Sequence, residues 1–300
     1  MVKRDSTSRK IFNFINVFFL VLLMASVLFP YLNVLAKSFN DGNDTMRGGI
    51  TIYPREFSLQ NYDAILGDDA FGRAFIVSVC SVVLGTLLSI LVQFMAAYVF
   101  LHKDMFGSKL LYVFLIIPMY FGGGIVPTYI LYSQIGLINN YMVYFLPGCF
   151  SFYNMIIIRS YMSSLPYSLH EAAKIDGAND LCVFFKIILP LAKPILATIA
   201  LWTAVGIWSD WTTPLYYITK SKMYNLQYLL VQVLKEAEKV SQLITQAALR
   251  GEIIETRNTT ITTEGVKCAQ MIVSTIPIVI IYPFLQKYFI QGVTLGAVKD

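Results

Sequence analysis

Between two long apolar runs, Leu165 to Asp180 reads LPYSLHEAAKIDGAND, with one histidine, one lysine, one glutamate and two aspartates inside sixteen residues. Local physical chemistry accounts for its form. Ser168-Leu169-His170-Glu171 fits the S-x-x-E capping box, in which hydroxyl and carboxylate each accept from the other's backbone N–H. Pro166 suits a chain turning into that helix, and Gly177 can take positive φ and end it. Asn179 or Asp180 can cap a second helix, with Leu181, Phe184, Phe185 and Ile188 as its apolar stripe and Pro190 as its stop. Such a helix–turn–helix could present its carboxylates to a basic partner, or merely connect two apolar segments.

Few other groups could do chemistry. Asp210 is the one acid inside an apolar segment, and acids in a bilayer tend to face a bundle interior or an aqueous cavity. Trp208 and Trp211 flank it, with Tyr216 and Tyr217 just beyond. These rings could stack on the C–H faces of a sugar whose hydroxyls the carboxylate would accept. They fit an interfacial aromatic belt beside a hydrated Asp equally well. No G-x-x-x-x-G-K-[ST] motif occurs, so the chain is not expected to cradle ATP phosphates. The glycines of FGGGIVPT (Phe121–Thr128) lie among apolar residues and read as a break in a span. No serine, histidine and acid arrangement suggests hydrolysis, so no enzyme is expected. The two histidines, His102 and His170, and the cysteines Cys80, Cys149, Cys182 and Cys268 have neither CxxC nor HxxxH spacing. No metal, cofactor or disulfide is therefore expected, and the cysteines read as small apolar packing residues.

A membrane bundle must position these groups. Of 300 residues, 56% are hydrophobic and 14% charged, and the mean hydropathy is +0.62; soluble domains carry about 25% charge. The net charge of +5 comes without a basic block, which argues against a nucleic-acid partner and for a juxtamembrane role of most basic residues. Crossing about 30 Å of hydrocarbon takes roughly 20 apolar residues. Six segments reach that length: 11–36, 74–101, 110–132, 141–162, 195–218 and 269–289. The expected fold is all-α, a polytopic membrane protein of six transmembrane helices forming one domain over residues 1–300. The first segment is too long for a signal-peptide core and reads as a retained helix. Pro118, Pro127, Pro147, Pro214, Pro277 and Pro283 fall inside these segments, which a bundle tolerates where neighbours satisfy the freed backbone groups.

Counting basic residues puts both termini in the cytoplasm. Lys3, Arg4, Arg9 and Lys10 precede the first span, Lys103 and Lys109 lie between the second and third, and IGLINN on the other face has none. Residues 165–190 then fall in the cytoplasm, and 37–73 and 219–268 outside. Ser81, Gly85 and Ser89 repeat every four residues, a spacing that lets helices approach closely, within the chain or against a partner. From Leu226 to Ala248, apolar residues recur with helical period opposite Lys235, Glu236, Glu238 and Lys239; the charge argues for a surface or interfacial helix over a seventh span.

EAAKIDGANDLCVFFKIILPLAKP, Glu171 to Pro194, closely resembles the signature of the membrane subunits of binding-protein-dependent ABC importers: E-A-A, two residues, D-G-A, then a hydrophobic helix ending L-P-x-x-x-P. Glu171, Ala172, Ala173, Asp176, Gly177, Ala178, Phe184, Ile187, Leu189, Pro190 and Pro194 all fit. PREFSLQNYDAIL, WSDWTTPLYYI and the tail YPFLQKYFIQGVTLGAVKD look like the carbohydrate-importer branch, nearest the Gram-positive permeases for complex oligosaccharides. The family pattern usually has asparagine where Ser209 stands. The resemblance implies a cell-membrane permease that carries a carbohydrate, an oligosaccharide in size, by alternating access. It also implies a homologous second permease, two cytoplasmic ATPases that bind the ATP, and an extracytoplasmic sugar-binding lipoprotein. Glu171, Ala172, Ala173, Asp176, Gly177 and Ala178 would couple to the ATPase, with the two alanines slimming the helix to fit a groove. Trp208, Asp210 and Trp211 are candidates for the substrate path. The alternative, an ion-coupled secondary transporter, would need buried acids or inverted repeats, which the sequence lacks beyond Asp210.

Overall fold

The computed structural model describes residues 7–102, 105–166, 168–250 and 262–297. In chain order the helices are α1 (Thr7–Ser38), α2 (Gly42–Met46), α3 (Gln60–Leu66), α4 (Asp69–Val99), α5 (Ser108–Tyr120), α6 (Ile125–Gln134) and α7 (Phe152–Ser163). They continue as α8 (Ser168–Ile175), α9 (Asp180–Val183), α10 (Leu189–Leu191), α11 (Lys193–Trp208), α12 (Thr212–Tyr217), α13 (Leu226–Leu249) and α14 (Thr263–Ala297). No strand occurs among the described residues, as the all-α expectation requires. Lys3, Arg4 and Lys103, used above to orient the chain, lie outside the described residues, as does Tyr167.

Each of the six apolar segments contains helix, but only three are unbroken. Thr7–Ser38, Asp69–Val99 and Thr263–Pro283 are each long and apolar enough to cross a membrane. The third segment breaks into α5 and α6, bent by 117°. Gly124 sits there at φ 84°, ψ 175°, a backbone region essentially reserved for glycine, so FGGG is the break its composition suggests. The fourth segment departs from one helix over 141–162. It opens as a 3₁₀ turn, Tyr141–Tyr144, passes Pro147-Gly148, and becomes helical only at Phe152, where the Ser151 hydroxyl caps α7. The fifth ends α11 at Trp208 and restarts as α12. At its other end, Asp180–Leu191 and Lys193–Trp208 meet at 82°. Pro190 does not stop its helix as expected. A π turn at Phe184–Ile188, with Leu189 N–H bonded to Phe184 O, precedes it, and the widened turn accommodates the proline that follows.

The residues fall into two compact units: Met1–Asp69 with Leu230–Thr275, and Ala70–Leu229 with Ile276–Asp300. In the first, buried Asn40 is the hub of the segment after α1. Its Nδ2 donates to Asp44 Oδ2 at 3.0 Å and Thr45 Oγ1 at 3.1 Å, and its Oδ1 accepts from the N–H groups of Arg55 and Glu56 at 2.8 and 2.9 Å. Arg55 Nε closes the ring on Asp44 at 3.0 Å. Asn61 Nδ2 ties the carbonyls of Ser38 and Asn40. From Ile11 to Phe29 the large apolar side chains of α1 are exposed, as suits a helix solvated by lipid or a partner.

The second unit holds the larger core. Phe94, Ala97 and Tyr98 of α4 pack with Met155, Ile158 and Met162 of α7 and with Ile195 and Ile199 of α11. Arg159 on α7 donates to Phe100 O at 2.9 Å beyond the end of α4. Ser81, Gly85 and Ser89 are all buried. A Cβ on Gly85 would lie 2.5 Å from Ile207 Cδ1 and 3.1 Å from Phe145 Cβ, so this small-residue stripe packs within the chain. The cysteines only partly behave as packing residues: all four are free, Cys268 is buried, Cys149 and Cys182 are half-buried and Cys80 is exposed.

Candidate functional site

The polar stretch forms α8, a turn and α9. Gly177 takes φ +80°, Ala178 N–H bonds Ala173 O at 2.9 Å, and Gly177 N–H bonds Lys174 O at 3.0 Å. This pair of bonds is the Schellman closure, which needs a left-handed residue after the last helical turn. Asn179 Oδ1 accepts from Cys182 N–H at 2.8 Å and caps α9, one of the two caps anticipated. Lys174 Nζ meets Asp180 Oδ1 at 2.6 Å across the turn, and this hydrogen bond holds the Asp180 carboxyl below its ordinary pKa. His170 is half-buried against His102; burial first, then the His102 and Lys174 charges, lower its pKa. Helix α8 starts at Ser168 itself.

The signature residues divide in two. Ala173 is 7% exposed and belongs to the core with Phe184, Ile188 and Met162, and Ala178 packs on the same cluster. The expectation that both alanines slim an outward face therefore fails for Ala173: it lets α8 approach its own bundle. Glu171, Ala172, Asp176 and Gly177 are exposed. Ile175, outside the residues that carry the resemblance, is 85% exposed. Its position four residues after Glu171 puts it on the glutamate's side of the helix, and that spacing was the signal available. The second helix's stripe also divides: Phe184 and Ile188 are buried, while Leu181 and Phe185 are exposed, and Val183, outside the stripe, is buried with the core.

A cavity of about 340 Å³ opens beside the break between α11 and α12, lined by Tyr132, Tyr144, Gly148, Ser209, Asp210, Trp211, Thr212 and Tyr217 among others. Its walls are pinned by backbone contacts. Tyr144 donates its hydroxyl to Met223 O at 2.7 Å. Asn139, at φ 55°, accepts through Oδ1 from Thr219 N–H at 2.7 Å and Lys220 N–H at 3.2 Å. Asp210 is not mid-helix: its Oδ1 accepts from the N–H groups of Thr212 at 2.9 Å and Thr213 at 3.1 Å, and from the Thr212 hydroxyl at 2.8 Å, starting α12. Of the three candidate path residues, Asp210 and Trp211 line the cavity and Trp208 does not. Trp208 is 6% exposed and edge-on to Phe75 at 6.1 Å, a packing residue. The tyrosines were legible as aromatic residues, but not as neighbours, because they come from separate segments.

An all-helical chain with spans broken around a cavity and a polar helix pair rooted in its core has the architecture of a membrane permease subunit. The model of the inner membrane component of binding-protein-dependent transport systems matches residues 85–295, and the chain belongs to that family. Such permeases are not themselves enzymes. The chain is 35% identical to protein LplC of Bacillus subtilis (strain 168), over 98% of this chain and 97% of the relative. It is 33% identical to the polygalacturonan/rhamnogalacturonan transport system permease protein YtcP of the same organism, over 97% and 99%. Among solved structures, a bacterial ABC transporter involved in importing the acidic polysaccharide alginate matches with TM-score 0.84 and 25% identity, covering 96% of this chain and all of that one.

Proposed function

We propose that this chain is one of two permease subunits of an ATP-driven importer that carries an oligosaccharide across the cytoplasmic membrane by alternating access. The observation that carries the reading is the outward surface of Glu171, Ala172, Ile175 and Asp176 on a helix whose other side, through Ala173, is locked into the core. A surface so rooted transmits a push from a docked protein to α4, α7 and α11. The docked partner is a cytoplasmic ATPase, present twice in the complex and binding the ATP. A homologous permease and an extracytoplasmic sugar-binding lipoprotein complete it, with both termini cytoplasmic. The sugar-polymer names of the relatives support the substrate class.

Among the cavity's lining residues there is a carboxylate, with hydroxyls and aromatic rings, groups that suit the hydroxyls and C–H faces of a sugar. Ion coupling is the weaker reading, since one oxygen of Asp210 is already engaged by Thr212 and Thr213. Glu171→Ala tests the coupling. Losing a cap costs about 1 kcal/mol, too little to dismantle the bundle. Losing a charge-assisted contact at an interface weakens docking about tenfold or more. The variant should reach the membrane at the normal level, retain less ATPase on copurification and take up less sugar. Unchanged copurification and uptake would refute the assignment.

A further inference from the structure

The chain's only two histidines, His102 and His170, meet edge-on, with ring centroids 5.4 Å apart and planes at 71°, although one follows α4 and the other lies on α8. Asp180 of α9 joins them: one ligand atom from each of His102, His170 and Asp180 lies within 4.8 Å of the other two. His102 Nδ1 is 3.0 Å from Tyr98 O. A carbonyl only accepts, so in the neutral imidazole Nδ1 carries the proton and Nε2 the lone pair, the backing that metal-ligating histidines commonly have. Two imidazoles and one carboxylate form a donor set suited to Zn²⁺ and its chemical neighbours.

We propose that His102, His170 and Asp180 form a site for a borderline divalent transition metal that fastens α8 and α9 to the end of α4. Zn–N bonds of about 2.0–2.1 Å require the three donors to close by an ångström or so, which side-chain rotation supplies, since both histidines are half-buried and Asp180 is exposed. A fourth position is left for water. The Lys174 ammonium, 2.6 Å from Asp180 Oδ1, holds the carboxylate in this structure. Lys174 and the metal therefore compete, and the site has a variant that should bind more tightly as well as variants that should bind less.

Binding stands independently of the coupling role; its effect on transport rests on that role. The test is Co²⁺ titration of the assembled complex, purified without a histidine tag and read by the visible ligand-field spectrum. The expected result is one Co²⁺ per chain with the intense band of low-coordinate cobalt. His102→Gln and His170→Gln should each weaken binding by about 100-fold or more, beyond the 10–100-fold cost of losing a backing group, and Lys174→Ala should tighten it several-fold. A weak octahedral spectrum, or affinity indifferent to both histidines, overturns the site. A destabilised histidine variant does not rescue it, because failure of Lys174→Ala to tighten binding also counts against it. Sugar uptake separates the two readings: metal should slow wild-type uptake and spare His170→Gln. Binding at the site with unchanged uptake sustains the site and overturns its effect on transport.

Discussion

At the scale of single residues, the turn at Gly177 separates steric from conformational need. A Cβ there would meet nothing within 4 Å, yet φ is +80°. Gly177→Val therefore adds no clash, and its whole cost is backbone strain, about 1–3 kcal/mol. Released from that strain, the turn would re-aim α9 relative to α8. Gly177→Val should cut sugar uptake severely at normal membrane abundance, and Ala178→Ser should leave uptake close to wild type. Equal uptake by the two variants would disprove a functional left-handed turn. Sequence rules found Gly177 and the Asn179 cap because both act over a few bonds. They missed the burial of Ala173, whose neighbours Met162 and Phe184 come from separate helices, and the His102–His170 contact for the same reason.

At the scale of elements, close approach decides the cost of substitution. In α4, a Cβ at Gly85 would press on Phe145 Cβ and on the tip of Ile207. The Ile207 tip can turn away, but Phe145 Cβ is fixed by its backbone. Gly85→Ala should destabilise the protein by about 1–3 kcal/mol, as overpacking does, measurable as a lowered melting temperature in detergent. Between α1 and α3, the Asn40 and Arg55 hydrogen bonds lower the Asp44 pKa from its ordinary 3.8. A carboxyl whose folded pKa is depressed stabilises the fold above the unfolded value, and that contribution disappears as pH falls through the folded one. Hydrogen exchange of residues 38–58, corrected for intrinsic rates, should therefore accelerate only below about pH 4, and Asp44→Asn should abolish that dependence. An acid transition persisting in Asp44→Asn would assign it to another group. The element pattern was legible where glycine or a cap punctuates the chain, as at Gly124. Lipid-facing helices need no polar face, so periodicity marked neither the late start of α7 nor the π turn before Pro190.

At the scale of the whole molecule, apolar length and low charge sufficed for the helical membrane class, because a bilayer forces backbone groups to pair within a segment. Division into two units was not legible, since α13 and α14 each contribute residues to both and no composition shift marks the border. Helix α13 was anticipated almost to its ends, because its polar face restores the helical period that the spans lack. It runs Leu226–Leu249, with Leu226 buried, Leu229, Leu230 and Val233 half-buried and Lys235, Glu236, Glu238 and Lys239 exposed. The side chains of Ala237, Val240, Ile244, Ala247 and Ala248, the rest of the expected stripe, lie outside those described. Four charges along one face forbid this helix a place across hydrocarbon at reasonable cost, and a loop this long is unnecessary for spanning. We expect it on the outer face, where it meets the sugar-binding lipoprotein or the second permease. Cysteines at Lys235 and Lys239 should react with an impermeant thiol reagent in intact cells, and more slowly when excess binding protein is present. Reaction only after the membrane is broken would overturn the orientation, and reaction indifferent to binding protein would remove the docking role from these two positions.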